Sequence, residues 1–143
     1  MPVKNRLAEL HEEITAWRRD LHAHPELLYE THRTSAFVAE KLKAFGCDEV
    51  VTGIGRTGVV GVIRGRQDSA GRVIGLRADM DALPILEATG LDYASKTPGK
   101  MHACGHDLHA SCLNGAAAVL NALKAHWTGT LMIVHQPAEE IFG

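Results

Sequence analysis

The sequence predicts an α/β fold, with helices and short strands alternating along its 143 residues. Apolar residues recur at helical steps as far as Phe45, short β-rich runs follow, and a second helical stretch then leads into one further apolar run. In the first helix Leu7, Leu10, Ile14, Trp17 and Leu21 form the inward face, while Glu9, Glu12, Glu13, Arg18 and Arg19 take the others. Pro25 disfavours helix at His24 and ends the element. A second helix is expected over residues 30–45, with Phe37, Val38, Leu42 and Phe45 inward and Gly46 as its stop. Strands are expected over residues 49–52, 58–64 and 72–78, and the polar residues 65–71 read as a hairpin connection between the last two. Beyond Pro84, a segment with Gly90, Pro98 and Gly99 reads as a surface loop. A third helix should start near Asp107 and reach about Ala125, its small residues Gly115 to Ala118 allowing close approach to a sheet. Residues 129–135 are apolar almost throughout, which predicts a central strand covered on both faces.

Composition narrows the functional classes. The chain is long enough for one domain with a real core, and 45% hydrophobic content is ordinary for a globular protein. A net charge of −2 without a basic block, and 5% aromatic residues, exclude a nucleic-acid partner. No apolar run reaches membrane-spanning length, and the polar, charged residues 1–10 do not form a signal peptide. Three cysteines cannot all pair with one another, so a reducing, cytoplasmic setting is expected. Internal repeats, low-complexity tracts and inter-domain linkers are absent from the sequence.

The groups that carry chemistry fall beyond strand ends, where α/β sheets bind ligands. Asp79 and Asp81 follow the strand expected over 72–78. Cys104 and His106 precede the third helix, and Glu139 and Glu140 follow the last strand after Pro137. A thiolate, an imidazole and a carboxylate suit zinc and its neighbours, and a second Glu beside a ligand Glu is placed to accept a proton from water. Each piece has a plainer reading: a buried thiol near a helix start, solvated charge at a helix N-terminus, aspartates bracing a turn. His22 and His24 have ligand-like spacing but read as surface or packing residues, His109 and His135 could face the site yet read as structural by default, and Cys47 and Cys112 read as core or helix-packing thiols. His102 and His106 are four apart, as in a helical zinc motif, but Ala103 and Gly105 argue against it. A Cys104 nucleophile with His106 as base remains open, though nothing marks an oxyanion hole. The deaminase pattern fails, and Gly53, Gly55 and Gly58 do not form a phosphate loop.

Four stretches resemble the M20 metallopeptidase family, in particular its aminoacylase-like D branch. They are Arg18-Arg19-Asp20-Leu21-His22-Ala23-His24-Pro25-Glu26, Arg77-Ala78-Asp79-Met80-Asp81-Ala82-Leu83-Pro84, residues 101–109, and Gln136-Pro137-Ala138-Glu139-Glu140. The resemblance implies the N-terminal part of a zinc-peptidase-like, three-layer αβα catalytic domain with a mixed sheet. It also implies hydrolysis of the amide bond of N-acyl amino acids, hippurate among them, by water activated at a metal centre. Carried over by residue, Cys104, His106 and Glu140 become metal ligands, Glu139 the general base, and Asp79 and Asp81 supporting residues. The implied cofactors are two divalent ions, zinc or manganese, with cobalt or nickel as alternatives. Family members run to about two and a half times this length. Residues 1–143 are therefore expected to form a partial catalytic domain, lacking the lid and dimerisation domain and two further histidine ligands. The parent enzyme is expected to be a homodimer and this chain to self-associate, inactive by itself. The competing expectation is a catalytically incomplete fragment that only binds metal or a partner chain.

Overall fold

The computed structural model describes residues 2–67 and 70–141. The elements run α1 (Pro2–Ala23), α2 (His32–Ala44), β1 (Glu49–Ile54), β2 (Gly58–Arg64), β3 (Val73–Asp79), α3 (His106–Ala122) and β4 (Thr130–Gln136), with a 3-10 turn at Lys124–His126 before β4. The α/β class and the mixed sheet are as the sequence predicts, and each expected strand lies within two residues of its observed bounds. The sheet order is β1-β2-β4-β3. β1 and β2 are antiparallel, β2 and β4 antiparallel, and β3 and β4 parallel.

This order overturns the hairpin expected between β2 and β3. β4 lies between them, pairing Ile133 with Gly61 on one side and with Leu76 on the other. Instead of turning back, the chain after β2 runs beside the approach to β4: Gly65 N–H donates to Gly129 O at 2.9 Å and Arg66 N–H to Trp127 O at 2.9 Å. A polar Gly-bounded loop signals a turn, but which strand fills the edge depends on apolar burial, and β4 is the most apolar run available. Parallel β3 and β4 then require a crossover, which α3 supplies. The fit at Gly65 is close, since an added Cβ would lie 2.7 Å from Trp127 O and nearer still to the indole ring. Gly65→Ala is therefore expected to destabilise the chain by about 1–3 kcal/mol, seen as a lowered thermal midpoint.

α2 and α3 pack on one face of the sheet. Val38, Leu42, Leu113 and Ala117 meet Val59, Ile63, Ala78, Leu131 and Ile133 there in a single buried cluster. α1 lies against α3, where Ile14 occupies the space beside Gly115. The expected inward face of α1 holds only in its second half: Trp17 and Leu21 are buried, whereas Leu7 is exposed. β4 also departs from expectation, because its burial alternates along the strand. Leu131, Ile133 and His135 face the helices. Met132 and Val134 point the other way and are only half-buried, so among the described residues one helical layer covers one face.

His135 is 1% exposed, and neither ring nitrogen has a hydrogen-bond partner among the described residues. Burial pushes its imidazole down from 6.5 to about 4. The unfolded chain takes up this proton first, so the stability contributed by the neutral ring is complete above about pH 6.5 and lost as pH falls to about 4. The whole effect is about 3 kcal/mol, of which about 2 kcal/mol is already lost at pH 5. His135→Leu should remove about 2 kcal/mol of the stability lost between pH 7.5 and pH 5, as checked by urea unfolding at both pH values.

Candidate metal centre

Because β3 and β4 are parallel, both deliver their carboxyl ends to one edge of the sheet, where Asp79 lies opposite Gln136. Met80 N–H donates to Gln136 O at 2.9 Å and carries the pairing one residue further. Asp81, 0% exposed, then joins the two segments. Its Oδ1 accepts from Glu139 N–H at 3.1 Å and its Oδ2 from Glu140 N–H at 3.0 Å. The backbone reaches these glutamates through Ala138, whose φ of +58° is left-handed and costs an L-residue about 1–2 kcal/mol. Strain held beside a cluster of reactive groups is a usual mark of a functional site.

His106 opens α3 immediately after Gly105, whose φ of +94° turns the chain into the helix. Its Nδ1 lies 2.8 Å from Asp81 O and 3.5 Å from Asp81 Oδ1, which fixes the ring and leaves Nε2 as the free donor atom. That Nε2 is 3.7 Å from Glu139 Oε2 and 3.9 Å from Glu140 Oε1. Among the described residues two sets of three donors result, each with its atoms within 4.8 Å of one another: Cys104 with His106 and Glu140, and Asp79 with His106 and Glu139.

The first set fits a divalent cation. Among the described residues Glu140 Oε1 is buried without a hydrogen-bond partner, an expensive state for a carboxylate unless a cation completes it. Sulfur, nitrogen and carboxylate oxygen together suit zinc and similar ions. The electrostatics agree. The Glu140 carboxylate against the Cys104 thiol, with the charges of Glu139 and Asp79, raises that thiol above its ordinary value. The Asp81 carboxylate beside His106 pushes the imidazole up to about 9. Asp81 itself is held below the usual carboxylate range: burial opposes this, but the His106 contact and the amides of Glu140 and Glu139 outweigh it. The pocket is thus rich in negative charge and in protons that a cation would displace.

The structure selects among or changes several readings of the sequence. Of the two given for His22, burial selects packing: Nδ1 lies 2.7 Å from Asp107 Oδ2 and Nε2 3.2 Å from Glu87 Oε1. Arg18 Nε reaches the same Asp107 oxygen at 3.1 Å. This network ties α1 to the first turn of α3, next to His106. Arg18, His22 and Asp107 all stand in the quoted motifs, but their pairing spans too much sequence for spacing to reveal it. His102 is buried and, since α3 begins only at His106, lies outside any helical pair with it. Burial lowers its imidazole to about 4. Cys112, expected as a packing thiol, is exposed on α3, while Cys47 is half-buried against Gly61. His109 is exposed, its ring 5.9 Å from that of His106.

A mixed sheet with thiol, imidazole and carboxylates gathered beyond its parallel strand ends defines an α/β protein with a cluster of potential metal donors at one sheet edge. Comparison with known proteins gives the family. Residues 75–143 match the model of peptidase family M20/M25/M40. The chain is 44% identical over 140 residues to the N-acyl-L-amino acid amidohydrolase of Geobacillus stearothermophilus, covering 98% of this chain and 37% of that protein. It is 44% identical over 131 residues to an N-acetylcysteine deacetylase of Bacillus subtilis, covering 92% of this chain and 34% of that protein. The crystal structure of the Bacillus subtilis YXEP protein, described as a dinuclear metal-binding peptidase from the M20 family, superposes with a TM-score of 0.88 at 44% identity, over 94% of this chain and 37% of that one. The chain belongs to the M20 peptidase family. It spans little more than a third of the length of the curated relatives it matches.

Proposed function

We propose that this chain carries part of the metal centre of an amidohydrolase that cleaves the amide bond of N-acyl amino acids, hippurate-like substrates included. The observation that carries the reading is the set of Cys104, His106 and Glu140 around a buried Glu140 oxygen without a hydrogen-bond partner among the described residues. The relatives named as N-acyl-amino-acid amidohydrolase and deacetylase support the substrate class. A divalent cation, when bound, supplies Lewis acidity toward a carbonyl oxygen and toward water. Cys104, His106 and Glu140 hold it, and Asp81 fixes the His106 ring and both glutamate backbones. Glu139, with 40% of its side chain exposed at the rim, takes the proton of the attacking water and returns it to the leaving amine. Zinc or manganese is the proposed metal, with cobalt or nickel able to substitute, and two ions form the complete centre.

Residues 1–143 are proposed to be part of a catalytic domain in a cytoplasmic enzyme, with further ligands and a dimer-forming lid domain lying outside them. Two donor sets that share one histidine nitrogen do not make two complete sites, so this chain should bind metal and leave substrate intact. Its uncovered sheet face, which carries Val60, Val62, Met132 and Val134, favours self-association. Cobalt(II) titration of the chain tests the metal reading. A thiolate-to-cobalt absorption band should appear, and Cys104→Ser should abolish it and weaken binding by roughly 100-fold, beyond the effect of losing an outer partner. No band would overturn the ligand set. The second test is an assay on N-benzoyl and N-acetyl amino acids. Metal-dependent turnover by the 143-residue chain that vanishes in Glu139→Gln would overturn the proposed inactivity.

A further inference from the structure

Arg77 and Asp79 stand two apart on β3, so their side chains leave the same face of the strand at its carboxyl end. Arg77 Nε donates to Asp79 Oδ1 at 2.9 Å. Asp79 is at the same time one of the three donors of the second set, with His106 and Glu139. His106 has one free nitrogen for both sets, because Nδ1 is engaged by Asp81 O. One lone pair cannot serve two cations, so the sets compete. If the second set took the cation, Glu139 would be bound to it and lost as a proton acceptor.

We propose that Arg77 is a positioning residue that decides this competition, weakening Asp79 as a ligand so that Cys104, His106 and Glu140 bind the cation and Glu139 stays free. This rests on the metal reading given above. The guanidinium opposes the second set in two ways. It engages Asp79 Oδ1 in a charge-assisted hydrogen bond, which neutralises much of the carboxylate and leaves Oδ2 as the oxygen open to a cation. It also places a fixed positive charge beside the position the cation would take, and the charge of Glu139 reaches the same guanidinium. The pair is exposed on the Arg77 side, 51% against 17% for Asp79, so it contributes little to stability. Its consequence is the choice of ligands, and replacing Arg77 should leave the fold intact.

The test is cobalt(II) absorption of the 143-residue chain, with the thiolate-to-cobalt band measured per bound cobalt and far-ultraviolet circular dichroism as the check on folding. Arg77→Met should lower the band, corresponding to a shift of about five-fold or more in the ratio of the two sets, the low end for coupling between neighbouring sites. Arg77→Lys should recover part of it by restoring the charge. Arg77→Met combined with Asp79→Asn should restore it fully, because the competing carboxylate is gone. Asp79→Asn alone should leave the wild-type spectrum unchanged, and Arg77→Gln should lower the band as Arg77→Met does, which keeps the matter decidable if Arg77→Met fails to fold. An unchanged band in folded Arg77→Met, a loss that persists in the double variant, or an altered spectrum in Asp79→Asn would each overturn the role of Arg77 while the metal reading stands. A wild-type chain without a Cys104-dependent band would overturn the metal reading and this inference with it.

Discussion

Asp81→Ala is expected to destabilise the chain by about 3–5 kcal/mol and to weaken its hold on a divalent ion by about 10- to 100-fold. Both effects come from the same atoms. The buried carboxylate accepts the backbone N–H groups of Glu139 and Glu140 and lies beside His106, and each hydrogen bond to a buried charge is worth about 1.5–3 kcal/mol. Without it two amides lose their acceptor and the glutamate turn loses its fixed position. Because the folded-state pKa of Asp81 lies below its ordinary value of 3.8, its contribution is present above about pH 4 and fades as pH falls further. Urea unfolding and titration against a chromophoric chelator measure the two losses separately. An Asp81→Ala chain that matched the wild type in both would show that the turn is held by other means.

The two adjacent glutamates should separate in function. Glu140→Gln is expected to reduce metal affinity by about 100-fold or more, since it neutralises a ligand rather than an outer partner. Glu139→Gln should leave metal content unchanged and, in an active enzyme containing this segment, lower turnover by about 10²- to 10⁴-fold, the range for loss of a general base or acid. The asymmetry follows from their surroundings. Glu140 is the more buried, with an unpartnered oxygen, while Glu139 sits at the rim with its side chain 40% exposed. Elemental analysis and initial rates decide it. A Glu139 variant that lost metal while the Glu140 variant kept it would reverse the assignment.

The candidate site was legible in the sequence where its parts are local. Cys104-Gly105-His106 and Glu139-Glu140 place donors on short, turn-bounded segments, and helical spacing located α1, α2 and α3 to within a few residues. What stayed hidden depends on partners distant in the chain. The bracing role of Asp81 runs through two backbone amides that no residue type encodes. The meeting of His22 with Asp107 depends on how α1 crosses α3. The hairpin expected between β2 and β3 failed for a related reason. Turn chemistry at residues 65–71 is local information, whereas the place of β4 is settled by competition for the buried centre of the sheet. Burial of β4 on both faces failed because an apolar run does not reveal which side later receives a helix.

The position of β4 also sets the order in which the chain can fold. β1 and β2 are close in sequence and can zip early, with α2 nearby. β3 has no strand to pair with until β4 arrives, and β4 can arrive only after the long crossover through α3 closes its loop. Such non-local pairing slows folding. Asp79 and Asp81 on one side, and Glu139 and Glu140 on the other, become neighbours only when that last strand slides between its two partners. The proposed ion-binding pocket is therefore completed only in the event that completes the sheet.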